Sequence, residues 1–225
     1  MEPKRKVTQE EYDEALESHR VFTEMAGGGL RMEFENCDLV GILMHRGANL
    51  TSANFVNCDL QGNHFQDLMA VNVDFRGSNL SHTQFYSCNL HHANLSGANL
   101  DGAKIVDGTY TEARLKFSSM NATSFLCTNL TQAKLGGVRG QGAVFQECDA
   151  TYASFSSSTW IDGFMPGCKF KTANFGGATF QNVDFCGSDF RGSTINSDTV
   201  FLACDMWDVQ GNNDVIRTYQ LPDWT

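Results

Sequence analysis

A large apolar residue recurs at every fifth position, without a slip, from Leu50 to Ile195. The track begins Leu50, Phe55, Leu60, Phe65 and ends Phe170, Phe175, Phe180, Phe185, Phe190, Ile195, and only Ala70, Gly140 and Ala150 in it are small. Against a hydrophobic content of 41%, such a run does not arise by chance. Two residues earlier runs a track of small side chains, including Ala48, Ala53, Cys58, Ala93, Ala98, Ala103 and Ala113. The residue between the tracks is often Asn or Asp, as at Asn49, Asn54, Asp59, Asp74, Asn94 and Asn99. A period of five fits neither the 3.6 of a helix nor the 2 of a flat strand. It fits a chain that turns a corner every five residues and points one large and one small side chain inward each time.

The consensus A-(N/D)-(L/F)-x-x, sustained over about residues 32–208, resembles the pentapeptide-repeat family. In that family four pentapeptides make one square coil, and coils stack through backbone hydrogen bonds. The resemblance therefore implies an all-β fold, a right-handed quadrilateral β-helix, preceded by a short capping helix. The register is offset by one residue before Leu50, at Phe34, Leu39 and Met44, and again after Ile195, at Phe201 and Met206. At about 4.8 Å per stacked strand, the expected rod is roughly 40 Å long. We divide the chain into a basic segment and capping helix (1–29), the solenoid (30–211) and a C-terminal cap or dimer contact (212–225).

Stacking by twenty sorts the core. One wall reads Phe65, Phe85, Ile105, Phe125, Phe145, Met165, Phe185, and another Leu60, Leu80, Leu100, Met120, Gly140, Trp160, Phe180. On the second, Trp160 is expected to fill the space that Gly140 leaves. Cys37, Cys58, Cys88, Cys148, Cys168 and Cys204 occupy the small inward slot, where Cys serves as a compact hydrophobe. Cys148 and Cys168 should stack with parallel side chains, which is poor disulfide geometry. No C-x-x-C occurs among the eight cysteines, and reduced thiols in the cytoplasm are the expectation.

A solenoid must cover its end coils. Thr8-Gln9-Glu10-Glu11 reads as a capping box that opens a helix. Tyr12, Leu16, His19, Phe22 and Met25 then fall on one face, and Gly27-Gly28-Gly29 ends the helix, which should plug the first coil. In the tail from Trp207, the candidate contact residues are Tyr219, Leu221 and Trp224, as a second cap or as a homodimer contact at the C-terminal end. The basic start MEPKRKVTQEE has no apolar stretch behind it, so no secretory leader is expected, and no run is long enough for a membrane span.

Catalysis needs a pocket with converging polar groups, and short regular corners around a filled interior offer none. We expect no enzyme, no cofactor and no metal. His91-His92, with Asp107 and Glu112 in nearby coils, is read as solvated surface. In the family, the quinolone-resistance rods imitate a DNA duplex and protect DNA gyrase or topoisomerase IV. The net charge of −10 invites that alternative, but residues 48–197 hold eleven acidic and nine basic side chains, and a duplex is charged along its whole length. One wall even gathers Arg76, Arg114, Lys116 and Lys134. The favoured reading is a scaffold for a protein partner, with no direct nucleic-acid or membrane contact. Its candidate surface is the outer side of the Phe-ladder wall: Tyr86, Val106, Leu126, Val144, Phe164 and Pro166.

Overall fold

The computed structural model describes residues 3–24 and 28–211. The five-residue period becomes a corner by two local devices. Where an Asn or Asp precedes the core residue, it accepts the backbone N–H two positions on: Asn49 from Thr51, Asn54 from Val56, Asp59 from Gln61 and Asn99 from Asp101. This is the side-chain turn that Asn and Asp favour. The second residue after each core position then takes a left-handed conformation, as in Asn57 (φ 55), Asp67 (φ 56) and Asn72 (φ 57). Together they bend the chain once per pentapeptide and form four walls.

Successive coils pair in parallel. Phe55 N–H donates to the Asp74 carbonyl (2.8 Å) and Asp74 N–H to that of Ala53 (3.0 Å), and this alternation repeats along the rod. Wall I carries Leu50, Leu90, Tyr110 and Leu130 inward, and wall II carries Phe55, Phe75, Leu95 and Leu115. Their rungs are single bridges such as Asn89↔Thr109 and Arg114↔Lys134. Wall III is a four-stranded sheet of β7 (Arg139–Gln141), β9 (Thr159–Ile161), β10 (Thr179–Gln181) and β11 (Val200–Leu202). Wall IV is a five-stranded sheet of β3 (His64–Gln66), β4 (Gln84–Tyr86), β5 (Lys104–Val106), β6 (Ser124–Leu126) and β8 (Val144–Gln146). The right-handed quadrilateral β-helix expected from the repeat is the fold of the chain.

The tracks that define the repeat are the core. Phe65, Phe85, Phe125 and Phe145 are buried, with Phe65 stacked on Phe85 (4.6 Å between centroids) and Phe125 on Phe145 (4.7 Å). Towards the C-terminal end, Phe155, Phe170, Phe175 and Phe180 meet mainly edge to face. Each such ring contributes about 1.5–3 kcal/mol by leaving water. All eight cysteines are free; Cys37, Cys58, Cys88, Cys148 and Cys168 are buried, while Cys204 is only partly so. The thiols of Cys148 and Cys168 point the same way and donate to the carbonyls of Phe125 and Phe145.

The N-terminal segment closes the first coil. Helix α1 (Gln9–Thr23) starts at the expected capping box, with Thr8 Oγ1 accepting from Glu11 N–H and the Glu11 carboxylate from Thr8 N–H. Tyr12 and His19 are buried, and Leu16 packs beside them. Phe22 departs from the expected packed face: it stacks on His19 at 5.7 Å yet stays 42% exposed. Gly29 lies against the last turn so closely that a Cβ there would sit 2.2 Å from Phe22 N. The segment ahead of the helix adds a strand that the sequence did not announce. β1 (Arg5–Lys6) pairs in parallel with β2 (Cys37–Asp38), and Val7, buried, donates its N–H to Asp38. Because Asp38 bridges to Asp59, this strand covers the N-terminal edge of wall III. Met25, Gly27 and the candidate contacts Tyr219, Leu221 and Trp224 lie outside the described residues.

Candidate partner-binding wall

On wall IV the strand alternation sends Phe85, Ile105 and Phe125 inward and their neighbours outward. The register Tyr86↔Val106↔Leu126 puts three apolar side chains on adjacent strands in one outward column. The parallel column runs Lys104, Ser124, Val144, Phe164. The apolar surface therefore crosses diagonally from Tyr86, Val106 and Leu126 to Val144 and Phe164, with Pro166 beyond the polar Gln146. All six sequence-chosen residues point outward. Phe164 is exposed, and the other five are half-buried by their neighbours.

The N-terminal end of this surface is amphipathic. Lys104 Nζ lies 5.7 Å from the centre of the Tyr86 ring, and the His64 ring packs against the same tyrosine at 5.3 Å. Tyr86 Oη donates to Gln84 Oε1 (3.2 Å). The corner towards wall I carries Asp67, Ser87, Asp107, Cys127 and Glu147 on successive coils. Asp67 is paired with Arg46 (2.6 Å). Partial desolvation, then the Glu147 and Asp107 carboxylates, push the exposed Cys127 thiol above its ordinary pKa, which keeps it protonated and a poor nucleophile.

Two exposed aromatics escaped the sequence reading. Phe117 (74% exposed) and Tyr152 (61%) occupy left-handed corner positions (φ 59 each) that favour Gly, Asn or Asp. Their signal was there: both stand two residues past the core track. Phe117 lies over Gly137 of the next coil, and Tyr152 lines a surface notch with Gln132, Lys134 and Ser154. No helix among the described residues is long and apolar enough to cross a membrane.

Comparison with known proteins agrees with this architecture. Residues 48–125 match the family described as pentapeptide repeat region, and residues 123–159 and 164–196 match pentapeptide repeats. The chain belongs to the pentapeptide-repeat family. Among solved structures it is similar to a trypsin-treated variant of QnrB1, a plasmid-mediated fluoroquinolone resistance protein. The TM-score is 0.51 at 18% identity, over 84% of this chain and 93% of that one. It is also similar to HetL, a pentapeptide repeat protein involved in heterocyst differentiation regulation from the cyanobacterium Nostoc sp. strain PCC 7120. There the TM-score is 0.33 at 19% identity, over 85% and 92% of the two chains. No curated protein matches the sequence.

Proposed function

We propose that this chain is a non-catalytic scaffold that holds a protein partner on wall IV. The observation that supports it is the outward apolar diagonal from Tyr86 through Val106 and Leu126 to Val144 and Phe164. A regular solenoid has no packing need for large apolar side chains on its outside, and stacked exposed ones mark contact surfaces. The acidic corner beside it, with Asp107 and Glu147, favours a partner with an apolar centre and a basic rim.

The test is the double substitution Tyr86→Lys and Leu126→Lys. Circular dichroism and melting should stay close to those of the parent, because substitutions outside the core usually change stability by about 0.5 kcal/mol or less. Quantitative affinity capture from the native host should lose the main partner, since aromatic and aliphatic anchors carry most contact energy. Early melting would make these residues structural, and unchanged capture would place the contact elsewhere.

The alternative, a DNA-mimicking rod that binds DNA gyrase or topoisomerase IV, has less support. At 18% identity the likeness to QnrB1 concerns the fold alone. The charge is also wrong for it: Arg114 and Lys134 stack in adjacent coils on wall II, where a duplex would present phosphates. Stoichiometric protein should therefore leave quinolone inhibition of gyrase supercoiling unchanged, and dose-dependent protection would reverse the ranking.

A further inference from the structure

Three ligating side chains meet at the corner between walls I and II. His91 and His92 follow the core residue Leu90, and Glu112 holds the same corner slot as His92 one coil on. His92 and Glu112 share the left-handed corner conformation (φ 57 and 58), so their side chains leave the rod in parallel. His92 Nδ1 lies 3.5 Å from a Glu112 carboxylate oxygen, and the two imidazole rings are 3.9 Å apart. One ligand atom from each residue falls within 4.8 Å of the others. Among the described residues, no other group of His, Cys, Asp and Glu converges in this way.

A second observation concerns the proton on His91. Its Nδ1 lies 3.1 Å from the Thr111 carbonyl oxygen. A carbonyl can only accept, so Nδ1 carries the hydrogen, and in the neutral ring Nε2 is the nitrogen with the free lone pair. A backbone carbonyl that fixes the tautomer in this way is the usual outer support of a metal-ligating histidine.

We propose that His91, His92 and Glu112 form a surface site for a divalent first-row transition cation, held across two adjacent coils. Two imidazoles and one carboxylate suit zinc, nickel or copper better than the all-oxygen cations magnesium and calcium. Three protein ligands leave a fourth position for water, as in open zinc sites. Bonds of about 2.0–2.2 Å need donors roughly 3–4 Å apart. The present 4.8 Å span closes by side-chain rotation, because His92 is exposed and His91 and Glu112 are half-buried. Asp107, which the sequence placed nearby, does not join: it stands at the preceding corner, between walls IV and I.

The experiment is calorimetric titration of untagged protein with zinc chloride, followed by titration of His91→Ala, His92→Ala and Glu112→Gln. The parent should bind one equivalent, and each variant should weaken binding at least about ten-fold, the lower end of what loss of a metal-site group costs. Cobalt should bind in the same place with visible d–d bands and no thiolate charge-transfer band, which separates this site from the free cysteines. Circular dichroism checks folding, and Glu112→Gln keeps the side-chain shape should an alanine variant misfold. Absence of saturable binding in the parent, binding that survives all three substitutions, or a thiolate band would each overturn the proposal.

Discussion

The indole of Trp160 occupies the space that a side chain at Gly140 would need. The two residues are register partners on β7 and β9, and a Cβ on Gly140 would lie 2.6 Å from both Cε3 and Cζ3 of the indole. Trp160 is fully buried and donates its Nε1–H to Ser158 Oγ (2.7 Å), so the ring is held from two sides. Gly140→Ala should therefore destabilise the rod by about 1–3 kcal/mol through overpacking. Adding Trp160→Phe should recover part of that loss. Urea denaturation of both singles and the double gives the coupling, and strict additivity would mean that the two sites do not share the space.

Phe125 and Cys148 test the two inward tracks separately. Phe125 is buried, stacked on Phe145 and edge-on to Tyr110 at 6.0 Å. Phe125→Ala should cost about 3–5 kcal/mol. Cys148→Ala should cost less than about 1 kcal/mol, since Ala already fills the same slot at Ala143, Ala153 and Ala173. Equal losses in urea melts would show that the small track does more than fill space.

Tyr110 carries a buried hydroxyl with no partner among the described residues. Burial pushes its pKa far above the ordinary tyrosine value, so the group stays neutral and only its lost hydration counts. Tyr110→Phe should be neutral or stabilising by about 1 kcal/mol, because it removes an unsatisfied polar atom and keeps the ring. A clear loss of stability on thermal melting would mean that the hydroxyl makes a bond.

His19 should make the N-terminal cap sensitive to acid. Its Nδ1 accepts the Met32 N–H (3.0 Å), and burial lowers its pKa from the usual histidine value of about 6.5. The sign follows from linkage: below about pH 6.5 the unfolded chain binds a proton that folded His19 resists. The cap's contribution is therefore complete above about pH 6.5 and is lost as pH falls through the lowered folded value. Protection of the Met32 amide, its exchange rate set against the intrinsic rate at each pH, should fall between pH 7 and pH 5. His19→Asn, a neutral acceptor of similar reach, should abolish that fall, and an unchanged profile in that variant would assign it elsewhere.

How far the sequence reveals this molecule depends on whether a residue obeys the period. Phe65, Phe85 and Phe125 lie on the track, and their burial, stacking and wall could all be read in advance. Tyr86, Val106 and Leu126 follow from the same count, displaced by one to the outer side. β1 was hidden because two residues, Arg5 and Lys6, gain their strand only by pairing with β2 some thirty positions later. Glu112 was visible beside His91-His92, yet only the coil repeat brings its carboxylate onto His92, while Asp107, as near in sequence, turns a different corner. Phe117 and Tyr152 were overlooked because left-handed backbone is not expected of bulky aromatics.

The register of wall IV, unbroken from His64 to Gln146, bears on how such a chain can change over generations. Duplicating or losing one complete coil would shift everything downstream by a single rung and return each residue to its own wall. Loss of five residues would instead rotate the downstream rod by a quarter turn, carrying Val144 and Phe164 away from Tyr86 and around a corner. The molecule can thus be lengthened in whole steps of about 4.8 Å with its surface chemistry intact. Inheritance here works as a ruler with one permitted increment.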